Sequence, residues 1–370
     1  MITGLASVQV SPYPHRIGGH CGSGALRDLL EWAGLGWDGP PSEGLVFTLG
    51  GALGLSYVRS PDLFPPLYLV GRGGELELDL PRRLGGTAQQ RATDDPAEGW
   101  AWVRSEVEEG RPVMVWADIA ELPYLRVKLS MSRHDIVVLG YDDEAQVALV
   151  VDNDREEVQE VPYDALARAR RSTSFPQPTR HTVYDITWPG ELPDLASAAA
   201  EAFAQSARAM TELAPVASIF DDEPPAPGDA GGLSGATHQA VHTAGVAAAS
   251  AFAEDIADWE QHDDEELEIM LFSLGAFIEK AGTGGGLFRR LLAQGTSEIA
   301  QTTEDDATAS LARSAKHAAQ AWTSVARAAT TRDQPARERA RHAAQAASVL
   351  PGLESNLTER LQAAAASLRS

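Results

Sequence analysis

The chain has 370 residues, with 53 Asp or Glu against 30 Lys or Arg and a formal net charge of −23. Hydrophobic residues make up 44% and charged residues 22%, an ordinary globular composition with length enough for two cores. So acidic a surface repels phosphate backbones and anionic lipid, and no apolar run nears the roughly 20 residues that span a bilayer, so neither nucleic acid nor a membrane is an expected partner. Met1 to Ser7 lack a basic segment ahead of an apolar one, and the lone cysteine, Cys21, rules out an intrachain disulfide. Both features predict a cytoplasmic protein.

In chain order, the first strong pattern is His20-Cys21-Gly22-Ser23-Gly24-Ala25-Leu26, which runs into a predicted helix over 26–33. Leu26, Leu29, Leu30 and Ala33 share one face, and Gly34 and Gly36 follow its end. A thiol at such a helix start gains acidity from the first-turn N–H groups and the dipole. Residues 45–51 predict a short buried strand or the entry to a helix. A helix is predicted over 94–108, capped by Asp94 or Asp95, with Pro96 in its first turn and Trp100, Val103 and Val107 as its stripe. Gly110-Arg111-Pro112 ends it before a central strand at 113–118. Runs at 134–139 and 147–151 predict an antiparallel pair with a turn at 141–144, and 158–161 a third strand. A helix starts at Tyr163, and 179–184, around His181, predicts a further strand.

The character changes near Trp188-Pro189, which predicts one domain over 1–190 and a second, alanine-rich and all-α, over 191–370. Helical spacing covers 195–213, 235–260, 264–280, 287–303, 308–329, 337–350 and 353–368, with a linker at 224–232. Such amphipathic helices ordinarily build a core, and they also offer faces for self-association.

Cys21 at a helix start, His134 at a strand start and Asp152 after the next strand follow the chain order of papain-like cysteine enzymes. In that order Cys21 is the candidate nucleophile, His134 the base and Asp152 the orienter of the ring, with Asn153 as an amide alternative. The bland reading of Cys21 is a small core hydrophobe. The Cys21 N–H is the natural oxyanion donor, and Gln9, His15 and His20 are candidates for a side-chain donor. His20 is a poorer base, because adjacent side chains at a helix entry point apart, and His181 sits on a surface strand. Dispersed histidines and one cysteine lack zinc-site spacing, and no Gly-x-Ser-x-Gly elbow occurs, so no metal or cofactor is expected. The run Gly282-Thr283-Gly284-Gly285-Gly286 reads in two ways: an anion site using Gly284, Gly285 and Arg289, or a tight turn with Arg289 paired to an acid. It is neither a Walker A motif nor a dinucleotide fingerprint. An acidic partner would need a basic patch, for which Arg168, Arg170, Arg171, Arg289 and Arg290 are the candidates.

The stretches 19–30, Ser42-Glu43-Gly44-Leu45-Val46-Phe47, Gly50-Gly51-Ala52-Leu53-Gly54-Leu55, Asp118 with Leu122-Pro123-Tyr124, and 134–143 resemble the butirosin biosynthesis protein H N-terminal domain. The region from about 195 to 300, with Gly282 to Arg289, resembles the helical domain of unknown function DUF4872. The tail from about 302 runs on beyond it. The resemblance implies an α+β, papain-like (peptidase C39-like) domain followed by an all-α domain. It implies transfer of an acyl group from an acyl carrier protein or other thioester to an amine, in natural-product biosynthesis. It carries Cys21, His134 and Asp152 over as nucleophile, base and orienter, and raises Glu43, Asp118 and Tyr124 as pocket residues. The same machinery would also serve a cysteine peptidase, amidase or peptide cyclase, and a vestigial triad would leave a binding or scaffold protein.

Overall fold

The computed structural model describes residues 6–61, 63–73, 75–128, 130–174, 176–211 and 241–370. They divide into two compact units. The first takes the residues up to Pro41 and Leu84–Leu192, the second Ser42–Arg83 and the described residues from Pro193 onward. The division expected at residue 190 is therefore crossed by 42–83, which groups with the helical unit.

The first unit is built on an antiparallel sheet. Its strands are β1 (Ser7–Gln9), β4 (Thr87–Arg91), β5 (Val113–Ala117), β6 (His134–Asp142), β7 (Val147–Val151), β8 (Gln159–Pro162) and β9 (Val183–Thr187). They lie in the order β4-β9-β5-β6-β7-β8, and β1 pairs with the far end of β6 through Gln9 and Gly140. Gly140 is required there, because a Cβ would stand 1.9 Å from the Val8 carbonyl oxygen. Ile136 and Val138 of β6 join Val103 and Val107 of α4 (Pro96–Glu108) and Ala165 and Leu166 of α5 (Tyr163–Ala169) in one core. The alternation of a strand turns Asp135, Val137 and Leu139 to the other face. Against β6 also packs α1 (Cys21–Trp32), whose Leu26, Leu29 and Leu30 are buried. Asp95 caps α4 as the sequence predicts, accepting from Ala97 N–H and Glu98 N–H.

In the second unit, β10 (Val241–Ala244), β2 (Leu53–Arg59) and β3 (Leu67–Arg72) form an antiparallel three-stranded sheet. Around it lie α2 (Glu43–Leu49), α3 (Leu76–Arg83), α6 (Leu195–Thr211), α7 (Gly245–Ile256) and α8 (Asp264–Glu279). The chain continues through α9 (Arg289–Thr303), α10 (Asp306–Thr330), α11 (Ala336–Ala347) and α12 (Leu350–Ser367). Phe252 of α7 is the centre of an aromatic cluster with Tyr57, Trp259 and Trp322. Residues 45–49 are helical, resolving the ambiguity of that run. Of the helix predicted over 235–260, residues 235–240 lie outside the described residues, 241–244 form the short strand β10, and a helix runs from Gly245 to Ile256. The turn between them needs the φ of +61° at Gly245, and a Cβ there would lie 2.2 Å from the Met210 carbonyl oxygen. The predicted linker 224–232 lies outside the described residues.

Candidate active site

Cys21 is the first residue of α1, in the turn whose N–H groups have no intrahelical acceptor. His20 forms the cap: its Nδ1 accepts from the Ser23 N–H at 3.1 Å. A histidine cap of this kind keeps Nδ1 unprotonated. Across the sheet, Val137 of β6 pairs with Val151 of β7. That antiparallel register carries the chain after β7 toward the start of β6, where His134 stands.

The three residues singled out by chain order lie together. Asp152 Oδ2 is 2.8 Å from His134 Nε2, and the Cys21 side chain is hydrogen-bonded to the same imidazole. With Nε2 donating to a carboxylate, Nδ1 is the nitrogen left for the sulfur. Asp152 is buried and well supplied with donors, because Tyr124 Oη–H donates to Oδ2 at 2.7 Å and the Asp154 N–H to Oδ1 at 3.2 Å. Burial alone would lower the His134 pKa. The Asp152 charge and hydrogen bond and the Cys21 side chain outweigh it and hold the imidazole well above its ordinary value of 6.5. For Asp152, burial opposes ionisation, but the His134 charge and hydrogen bond, Tyr124 and the Asp154 N–H keep the carboxyl below its usual range. Burial and the Asp152 carboxylate push the Tyr124 phenol up. The imidazole is thus held toward its charged form beside the Cys21 side chain.

Asp135, which the sequence reading passed over, lies with its Oδ2 3.7 Å from Cys21 Sγ. Its only signal in the sequence is its place after His134. Asn153 is not at the ring: its Nδ2 donates to the Gly18 carbonyl at 3.1 Å, and its backbone carbonyl accepts from the Gly18 N–H at 2.9 Å. It is instead a packing partner of α1, since a Cβ on Gly24 would lie 3.3 Å from Asn153 Cβ.

Of the oxyanion candidates, Gln9 is exposed on β1 and opposite Gly140. That is six residues, roughly 20 Å, along β6 from His134, beyond the reach of a glutamine side chain. His15 is committed elsewhere, with Nδ1 2.8 Å from Asp28 Oδ2 and Nε2 2.7 Å from the Arg155 carbonyl oxygen. His20 is the helix cap already described.

Asp118 is buried and accepts from Ala120 N–H, Met131 N–H, Ser130 Oγ–H and Ser172 Oγ–H. Those donors outweigh burial and lower its pKa, so it anchors the loop before His134. Glu43 opens α2 in the second unit. His181 is buried, not at the surface, and burial with Arg170 and Arg171 nearby pushes its pKa down to about 4.

The glycine run is a turn. Gly285 N–H donates to Thr283 Oγ1, Gly286 N–H to Glu279 Oε1 and Leu287 N–H to the Ile278 carbonyl. With these donors spent internally, the N–H groups of Gly285, Gly286 and Leu287 are not offered to an anion. Arg289 is fully buried and bidentate to Glu354, and also donates to the Gly71 and Leu287 carbonyls. It is a structural pin, and the tight-turn alternative holds. Three of the other expected cations of the basic patch are held by protein groups. Arg170 is buried on backbone carbonyls, Arg168 is paired with Glu121 and Asp164, and Arg290 with Glu279. Arg171 is exposed.

Among the described residues no helix is long and apolar enough to cross a membrane. No curated protein matches the chain. Two family models do: one for the N-terminal domain of butirosin biosynthesis protein H over residues 20–153, and one for a domain of unknown function (DUF4872) over residues 164–361, more than half of the chain. The chain therefore belongs to the DUF4872 family and carries a butirosin biosynthesis protein H N-terminal domain ahead of it.

Proposed function

We propose that the protein is a cysteine-dependent acyltransferase of natural-product biosynthesis, in which Cys21 takes an acyl group from a thioester and passes it to an amine. The observation that carries this reading is the hydrogen-bonded series from Cys21 through His134 to Asp152 and Tyr124. The thiol-bearing helix against an antiparallel sheet that holds the histidine also supports a papain-like, peptidase C39-like arrangement.

The Cys21 thiolate attacks the thioester carbonyl, and the first-turn N–H groups face the oxygen on which charge develops. Collapse expels the donor thiol, which takes its proton from the His134 imidazolium. An amine then attacks the Cys21 thioester and gives a proton to His134, and the C–S bond breaks to release the amide and restore the thiolate. Exchange between thioesters is nearly isoenergetic and aminolysis is downhill, so the sequence of steps needs no nucleotide. Asp152 keeps the ring turned to the sulfur through both proton transfers.

Intact-protein mass spectrometry tests the reading. A thioester substrate adds one acyl mass to the wild type and none to Cys21→Ala, and an added amine discharges the adduct as an amide. Discharge as the free acid alone assigns the site to a hydrolase, and no adduct from any thioester sinks the proposal.

A further inference from the structure

The segment leading into His134 bears on the charge of the donor. Between Glu121 and Asp135 there is no acidic residue, although acids outnumber Lys and Arg by 53 to 30 in the whole chain. Three cations occupy that stretch. Arg133 is committed, its guanidinium 5.2 Å from the centre of the Trp116 ring. Arg126 and Lys128 are exposed on either side of the exposed Val127, and neither forms an ion pair among the described residues.

The loop that bears them is tied to the candidate active site. Upstream, Tyr124 Oη–H donates to Asp152, and Arg155 Nη2–H donates to the Tyr124 carbonyl at 2.7 Å. Downstream, Ser130 and Met131 are held by Asp118. Arg126 thus lies two residues, at most about 7 Å of backbone, from Tyr124, whose hydroxyl at the far end of the side chain is bonded to Asp152. Its φ of +55° bends the chain at that point. Screening limits each charge to about 10 Å, so on an acidic surface these two cations attract an anion only at this rim. An amine acceptor that carries positive charge is repelled from the same place, so the rim favours the donor.

Resting on the acyl-transfer reading, we propose that the loop at 125–128 is the docking point for the negatively charged surface of an acidic carrier protein that presents the acyl group as a thioester.

The test compares the rate of Cys21 acylation by a panel of short acyl groups in three forms: on a small acidic acyl carrier protein, on coenzyme A and on uncharged N-acetylcysteamine. Against the wild type, the Arg126→Glu, Lys128→Glu double variant loses roughly tenfold or more in rate with the carrier, an effect that shrinks as salt rises. It stays within about twofold with N-acetylcysteamine, as expected for a rim charge. The neutral pair Arg126→Asn, Lys128→Gln, whose asparagine tolerates the left-handed backbone, shows an intermediate loss and guards against misfolding. An unchanged carrier rate, or an equal loss with N-acetylcysteamine, overturns the proposal. A loss confined to coenzyme A assigns the loop to nucleotide phosphates and overturns it too. No acylation of the wild type by any form overturns the acyl-transfer reading and the docking site with it.

Discussion

His15 places both ring nitrogens against acceptors, the Asp28 carboxylate on one side and the Arg155 carbonyl on the other. Each nitrogen must then donate, so the ring is held as an imidazolium. Burial works against that charge, but the Asp28 hydrogen bond, the Arg155 carbonyl and the Asp28 charge outweigh it and raise the pKa above 6.5. The ring staples α1, which bears Cys21, to the loop that follows Asp152. A raised folded-state pKa gives stability that is complete below the unfolded value near 6.5 and is lost as pH climbs through the folded one. His15→Gln should therefore cost about 1–3 kcal/mol at pH 6, the range of a charge-assisted hydrogen bond, and less at pH 9. Urea denaturation of both proteins across that interval checks it; a pH-independent difference would show that His15 is neutral. Chain order was enough to name Cys21, His134 and Asp152 as candidates that lie together, because a helix start, a strand start and a strand end have few places to be. It was not enough for His15, whose partner Arg155 is 140 residues away. For the same reason the sequence left Arg289 between two readings, its acid lying 65 residues downstream.

At the scale of elements, the Arg289–Glu354 pair joins α9 to α12, and Trp322 of α10 donates to the same carboxylate at 2.7 Å. Both charges are fully buried. Removing one leaves the other without compensation, so Glu354→Ala should cost about 3–5 kcal/mol, read from urea midpoints. Arg289→Met with Glu354→Leu, which leaves neither charge behind, should recover most of that loss. Failure of the double variant to recover would mean that the Gly71 and Leu287 carbonyls need the guanidinium as much as Glu354 does. The helices of this unit were legible because a 3.6-residue stripe persists over many turns, as in α10 and α12. Short elements were harder. Buried on both faces, β2 has no alternation to betray it, and β4, Thr87-Ala88-Gln89-Gln90-Arg91, is a polar edge strand. The start of α9 was placed two residues early, because Leu287 and Phe288 look helical yet adopt left-handed φ values of 50° and 68°.

For the whole molecule, the chain leaves the first unit after Pro41, returns at Leu84 and leaves again after Leu192. A fragment ending at residue 190 would keep α2, β2 and β3 but lose the helices that bury Leu45, Phe47, Leu53, Leu55 and Tyr57, and lose β10 from the edge of β2. Such a piece should aggregate on expression, while the full chain stays dispersed, as size-exclusion chromatography with light scattering would show. A folded, monodisperse fragment would mean that 42–83 repacks within the first unit. Composition marked the boundary near 190 but not the detour, because 42–83 is no richer in helix-forming residues than its neighbours.

The same detour bears on how such a protein is inherited. The seam between the two family matches falls between residues 153 and 164, where a reader of sequences would expect recombination to shuffle modules. A crossover there would strip β9 from between β4 and β5, and would send α2, β2 and β3 away without the helices they pack on. The seam between the two names is therefore not a seam of the fold.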